Sequence, residues 1–97
     1  MLLNQVTDAI LEEAVRSQQS DEFDSHDVIF WISRSRPRQY VEDLHTALED
    51  AGDPFVNLHA AIARRLAALP LLVRQQHAKR VSTNVRGEDT ECELWRR

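Results

Sequence analysis

The chain has 97 residues, of which 42% are hydrophobic and 29% charged, a balance typical of one globular domain and not of a disordered tail. Its longest apolar run, Val28 to Ile32, is too short for a transmembrane helix. The first residues show neither a basic leader nor a cleavable apolar core, so we expect no signal peptide. A single cysteine, Cys92, cannot form an internal disulfide, and we therefore expect a cytoplasmic protein.

Charge is distributed unevenly along the chain. Residues 1–53 hold 4 Arg and 12 acidic residues, a net charge of −8, whereas residues 54–97 hold 8 Lys or Arg and 4 acidic residues, a net charge of +4. Such asymmetry is typical of a protein that presents one face to a polyanion and another face to a different partner. A chance scatter of solvated charges is the alternative interpretation.

The first half of the chain has the hydrophobic spacing of helices. Apolar residues recur at helical intervals at Leu3, Val6, Ile10 and Ala14. This stripe predicts a helix over about 2–18. The segment SQQSDEFDS interrupts the pattern, and Ser25 then suits the N-cap of a second helix over about 26–34. The run DVIFWIS also fits a buried strand, but the cap signal favours a helix.

Two further helices are predicted from proline and glycine positions. A break at Pro37 predicts a third helix over about 37–49, and Gly52 follows it as a left-handed C-terminal residue. Asp53 then precedes a proline, which is a typical helix start. A fourth helix is therefore predicted over about 54–69.

The C-terminal segment has a different pattern. After Pro70 the residues partly alternate between polar and apolar, and Asn84 and Gly87 mark a turn. This pattern predicts an antiparallel hairpin with strands over about 72–81 and 90–96. The chain is thus predicted to be a single α+β domain, mostly helical, with about four helices followed by a C-terminal β-hairpin.

This order of elements resembles the winged helix-turn-helix family. In this chain the segment FDSHDVI resembles the family's helix before the turn. The segment DPFVNLHAAIARRLAAL resembles its recognition helix, and VRQQHAKRVSTNVRGEDTECELW resembles its wing. In one departure from the usual arrangement, the helix over 37–49 lies between the first two of these segments. The resemblance implies a recognition helix in the major groove, a wing on the DNA backbone or minor groove, and binding as a dimer. Many winged helices bind protein instead.

The fourth helix has an apolar stripe and an unusual outer face. The stripe consists of Phe55, Leu58, Ile62, Leu66 and Leu69, and the opposite face carries Asn57, Ala60, Ala61, Arg64 and Ala68. Asparagine can pair with adenine and arginine with guanine, while Arg65 at the margin can reach a phosphate. Asn57, Arg64 and Arg65 are therefore predicted DNA-binding residues. Small residues suit a dimer or partner-helix interface equally well, and alanine is also simply a strong helix former.

The predicted hairpin carries both bases and acids. Arg74, Lys79 and Arg80 are placed to neutralise phosphates, and we predict that they bind the DNA backbone. Exposed ribbons need polar residues in any case, which is the alternative explanation. Four acids in the same segment would repel a phosphate backbone, namely Glu88, Asp89, Glu91 and Glu93.

No sequence pattern indicates catalysis or a cofactor. The histidines are His26, His45, His59 and His77, and none has a neighbouring Cys or His at zinc spacing. The adjacent residues Ser25, His26 and Asp27 do not form a triad, because triads assemble from distant positions. We therefore expect no enzymatic activity, no metal and no cofactor.

Two functional hypotheses remain. The first is a small transcriptional regulator that contacts duplex DNA through helix 54–69 and hairpin 72–96. The second is a protein-interaction or inhibitor module on the same fold, which binds a basic partner through its acidic half, including SDEFDSHD. A homodimer fits either hypothesis, and Leu2, Leu3 and Leu11 of the first helix are the expected contact. Neither hypothesis involves a membrane.

Overall fold

A computed structural model describes residues 1–69 and 74–97, and in the second range it describes side chains from residue 78 onward. It confirms an α+β domain in which four helices and a three-stranded antiparallel sheet lie in the described part of the chain. The elements are α1 (Asp8–Arg16), β1 (Glu22–Asp24), α2 (Ser25–Ser35), α3 (Pro37–Ala47), α4 (Pro54–Ala67), β2 (Arg74–Thr83) and β3 (Asp89–Arg96). Within these ranges no helix has the length and apolar character needed to cross a membrane.

The first helix begins six residues later than the sequence pattern predicts. Thr7 is the N-cap of α1, and its hydroxyl accepts from the Ile10 N–H at 3.4 Å. The preceding segment is held in a non-helical conformation by one buried carboxylate, because the backbone amides of Asn4, Gln5 and Val6 all donate to Asp43.

The expected dimer stripe on the first helix is also changed by the fold. Leu11 is fully buried within the domain, so it is not available to a second copy. Leu2 lies before α1 and is 89% exposed, and Leu3 packs partly against the core. The described structure therefore leaves only Leu2 fully exposed among the three leucines.

The N-cap of α2 is Asp24 and not Ser25. The Asp24 carboxylate accepts from the Asp27 N–H at 2.9 Å, and the Asp27 carboxylate accepts from the Asp24 N–H at 3.0 Å, which completes a capping box. Ser25 instead accepts a hydrogen bond from the Trp95 indole N–H at 2.8 Å. Trp95 is 1% exposed and anchors β3 on the helices.

The sheet contains a strand that the sequence analysis missed. The short strand β1 pairs with β3, and the strand order is β1-β3-β2. The predicted hairpin is confirmed in type, although β2 extends to Thr83 and its first predicted residues, 72 and 73, lie outside the described residues. Pairing between β2 and β3 is irregular between Gln75 and Lys79.

The remaining helix ends differ by small shifts. α3 ends at Ala47, and Gly52 has a φ of +97° in the loop that follows, several residues beyond the helix end.

The α4 stripe is confirmed as core at Leu58, Ile62, Leu66 and Leu69. Phe55 is only partly buried, and Ala61 is 5% exposed, so Ala61 belongs to the buried side and not to the outer face.

Candidate functional site

Two of the predicted DNA-binding arginines are held by acids of the same chain. Arg65 pairs with Asp8 at the start of α1 through both ends of its guanidinium, with Nε donating to Oδ1 at 2.6 Å. Arg80 on β2 donates from Nε to Asp24 at 2.9 Å and from Nη2 to Asp27 at 3.2 Å. These contacts engage the guanidinium groups that were expected to bind phosphates.

The other predicted residues fall into three situations. Asn57 donates its side-chain amide to the Ala51 carbonyl at 3.1 Å and so fixes the loop between α3 and α4. Arg64 on α4 and Lys79 on β2 are exposed, and neither has an acidic partner among the described residues. Arg74 lies in β2 opposite Arg96, but its side chain lies outside the described residues. Of the five residues whose side chains the structure describes, Asn57, Arg65 and Arg80 thus contact other groups of the chain, and Arg64 and Lys79 are exposed.

The charge split along the sequence is largely neutralised in the fold. Seven basic residues in the range 54–97 have described side chains, and five of them pair with acids in the range 1–53, namely Arg65 with Asp8, Arg80 with Asp24 and Asp27, Arg86 with Asp53, Arg96 with Glu22, and Arg97 with Asp21. All four acids of the segment SDEFDSHD take part in these pairs. Neither half therefore presents the full charge that its sequence suggests.

A groove of about 470 Å³ separates α4 from the β2–β3 hairpin. The helix wall consists of Phe55, Val56, His59, Ala60 and Ala63. The hairpin wall consists of Lys79, Asn84, Arg86, Glu88, Thr90, Glu91, Cys92 and Glu93. The floor is formed by Ser25, His26 and Ile29 of α2. One wall is therefore mainly apolar, and the other carries three carboxylates and two cations.

Arg86 fastens the hairpin turn to the start of α4. Its Nη1 donates to the Asp53 carboxylate at 2.7 Å, its Nε lies 3.1 Å from the Glu88 carboxylate, and its guanidinium lies 5.3 Å from the centre of the Phe55 ring. The hydrogen bond from Arg86 is also the main reason that the pKa of Asp53, the N-cap of α4, is lowered. The end of the groove is thus fixed by contacts between sequence-distant residues.

His59 contributes no positive charge to the groove at neutral pH. Burial lowers its pKa to about 4, and the electrostatic effects of His26 and Arg86 act in the same direction. Its Nε2 lies 2.8 Å from the Tyr40 hydroxyl, and burial raises the pKa of Tyr40 to about 12. The tyrosine is therefore the donor and the neutral imidazole the acceptor.

A cluster of polar side chains lies at the floor of the groove, where β1 meets α2 and the hairpin. His26 Nδ1 lies 2.6 Å from the Ser82 hydroxyl, and its Nε2 lies 3.3 Å from the Thr90 hydroxyl. The Cys92 sulfur lies 3.7 Å from the same Ser82 oxygen. One ligand-type atom from each of Asp24, His26 and Cys92 lies within 4.8 Å of the other two.

This cluster was missed by sequence reasoning. Cys92 is far from His26 along the chain, so no local spacing motif connects them. The β3 strand brings Cys92 to the start of α2, close to His26 and Asp24. Burial raises the pKa of the Cys92 thiol, although the backbone at the start of α2 and the Ser82 hydroxyl act in the opposite direction. The adjacent Ser25, His26 and Asp27 make separate contacts and do not act as one unit.

The groove, the paired arginines and the buried cluster are the features that a functional assignment has to explain. Comparisons of the chain with protein-family models, with curated proteins and with solved structures return no match.

Proposed function

We propose that the chain is a non-enzymatic protein-binding module that takes an apolar, positively charged segment of a partner protein into the groove between α4 and the hairpin. The observation that carries this proposal is the pairing of an apolar helix wall with a hairpin wall that bears carboxylates. The resemblance to winged helices is compatible with it, because that fold binds protein as well as DNA. The free thiol of Cys92 fits a reducing compartment, and we keep the expectation of a cytoplasmic protein.

The helix wall supports close packing of a partner segment. Val56 is 57% exposed at the edge of the groove, although it is a β-branched apolar residue. Ala60 and Ala63 follow it along the same wall, and their small side chains permit close approach of another backbone. An exposed apolar strip next to polar groups is typical of a protein interaction site.

The hairpin wall determines the charge of the expected partner. Glu91 is exposed and has no ion-pair partner among the described residues, and the Glu88 side chain is 58% exposed although it contacts Arg86. The carboxylates on this wall outnumber the cations Lys79 and Arg86 by three to two, and together with the net charge of −4 this favours a basic segment over a polyanion. The hairpin, and not the acidic half of the chain, is therefore the contact for a basic partner, because the acids of the segment SDEFDSHD are internally paired.

Selection from a random peptide library on the purified protein, in a buffer with EDTA, tests this function. We expect enriched peptides that combine large apolar residues with Lys or Arg, and whose affinity falls as salt is added. Val56→Arg is expected to lower the affinity for the selected peptide by at least about tenfold, because it removes an apolar contact and adds a positive charge that repels the basic peptide. Fluorescence anisotropy of the labelled peptide measures this change.

The chain offers a closely matched control for this variant. Val41 on α3 is also 57% exposed, but it does not line the groove. Val41→Arg adds the same charge and loses the same exposed side chain, so peptide affinity should stay unchanged. Equal effects of the two variants, or a library that enriches no peptide, would contradict a binding site in the groove.

Duplex DNA remains a second candidate, and one observation favours it. Arg64 and Lys79 are exposed cations without acidic partners among the described residues, on the two elements that the sequence analysis assigned to DNA. Arg65 and Arg80 are engaged with acids, so they contribute little to phosphate neutralisation in this arrangement.

The salt dependence of DNA binding measures how many cations take part. With Arg64 and Lys79 alone, the logarithm of the binding constant should fall with the logarithm of salt concentration with a slope of about −2, or about −3 if Arg74 adds a contact. Arg64→Ala should reduce that slope by about 1. Anisotropy of a labelled random duplex gives the slope, and absence of binding at low salt would exclude this candidate.

A further inference from the structure

We propose that Asp24, His26 and Cys92 form a binding site for a divalent transition-metal ion of the zinc class, with an open coordination position facing the groove. The three residues come from the junction of β1, α2 and β3, and His26 and Cys92 also line the groove floor. Metal binding here depends on the geometry of these three side chains and on no property of a bound peptide, so it is separate from partner binding.

The donor atoms have suitable types and spacing. A thiolate, an imidazole and a carboxylate are all ligands of Zn²⁺, with metal–ligand bonds of about 2.0–2.3 Å. In a tetrahedral site these bonds place neighbouring donors about 3.3–3.8 Å apart. The donors of Asp24, His26 and Cys92 already lie within 4.8 Å of one another, so a contraction of about 1 Å completes the site.

The side chains around the donors supply the support that metal ligands usually have. The Asp24 carboxylate is fixed by Arg80 Nε at 2.9 Å and by the Asp27 N–H at 2.9 Å. His26 Nε2 faces the Thr90 hydroxyl at 3.3 Å. When Nδ1 binds the metal, the proton resides on Nε2 and Thr90 accepts it, which fixes both the tautomer and the orientation of the ring.

The Ser82 hydroxyl lies among the three donors and competes with a metal ion for this position. It is 2.6 Å from His26 Nδ1 and 3.7 Å from the Cys92 sulfur. These bonds satisfy the cluster, and among the described residues no buried side-chain nitrogen or oxygen lacks a partner. Metal binding therefore requires rotation of Ser82, loss of the Cys92 thiol proton to solvent, and replacement of the hydroxyl bonds by metal bonds.

Titration of the reduced, EDTA-treated protein with Co²⁺ tests the site without any peptide. We expect a near-ultraviolet sulfur-to-cobalt charge-transfer band that saturates at one equivalent and disappears when Zn²⁺ is added. Absence of this band in the wild-type protein would overturn the proposal. The peptide selection is performed in EDTA, so failure of the metal site and failure of the groove are observed separately.

Variants connect the signal to two of the three donors, Cys92 and His26. Cys92→Ser should abolish the band, and His26→Gln should weaken Co²⁺ affinity by at least the 10–100-fold that loss of a supporting residue typically causes. His45→Gln is the matched control, because His45 is exposed on α3 and is not one of the three donors. Unchanged affinity in His26→Gln would show that the metal binds the thiol alone, which contradicts the proposed site.

Ser82→Ala keeps the test decisive if a donor variant fails to fold. It retains all three donors and removes only the competing hydroxyl, so we expect Co²⁺ affinity equal to or higher than that of the wild type. Lower affinity in this variant would mean that Ser82 is required for binding and would overturn the assignment of the ligands. Circular dichroism verifies the fold of each variant.

Discussion

Asp43→Ala is expected to lower the free energy of unfolding by about 4 kcal/mol. The Asp43 carboxylate is fully buried on α3 and accepts from the backbone amides of Gln5 and Val6 at 2.9 Å each and from that of Asn4 at 3.3 Å. The alanine variant leaves these donors without an acceptor and releases the segment before α1 from the core. Urea denaturation monitored by tryptophan fluorescence measures the loss.

A surface acid nearby in the sequence provides the comparison. Asp50 lies 3.7 Å from the N-terminal amine and its side chain is 52% exposed, so Asp50→Asn should change stability by less than about 1 kcal/mol. Asp43→Asn should lie between the two, since the amide retains one acceptor oxygen. If Asp43→Ala and Asp50→Asn are equally stable, the three backbone hydrogen bonds do not hold the N-terminal segment.

Arg80→Ala is expected to lower the free energy of unfolding by about 3 kcal/mol, whereas Arg65→Ala should have little effect. The difference arises from the acids, because the side chain of Asp24 is 2% exposed and that of Asp8 is 44% exposed. Loss of Arg80 leaves a buried carboxylate without its cation. Equal losses in the two variants would show that burial of Asp24 does not control the strength of its ion pair.

The same pair gives a pH dependence with a defined sign. Burial alone would raise the pKa of Asp24, but hydrogen bonds from the Asp27 N–H, Ser82 and Arg80 lower it below its ordinary value of 3.8. Its contribution to stability is therefore present above pH 3.8 and is lost as the pH falls through the lower pKa of the folded state. In Arg80→Ala the acid unfolding transition should shift to higher pH.

The helices could be predicted because each has its own local signal. Asp53 before a proline marks the start of α4, and the structure shows its carboxylate accepting from the Phe55 N–H at 2.9 Å. The hydrophobic period places Leu58, Ile62 and Leu66 in the core. Errors occur where a distant residue decides the local conformation. The N-terminal segment is the clearest case, because the carboxylate that prevents a helical turn there belongs to α3.

The candidate site was harder to predict than the fold. Sequence identified Arg65 and Arg80 as bases but could not show that Asp8 and Asp24 lie opposite them in the folded chain. A charge count by segment assumes that the charged side chains of each segment face solvent. In the fold this assumption fails, because β3 pairs with β1 and its arginine contacts an acid of β1. The Cys92 cluster depends on the same pairing and on no local motif.

The central position of β3 has a consequence for synthesis of the chain. β3 is the last strand in the sequence, yet it lies between β1 and β2 and carries Trp95 into the core. Neither outer strand has its pairing partner until residue 96 has been translated and has emerged from the ribosome. Until then β1 and β2 have no partner strand, so the sheet cannot form before β3 is available, and the unpaired strand edges of the nascent chain are sites where it can associate with other chains.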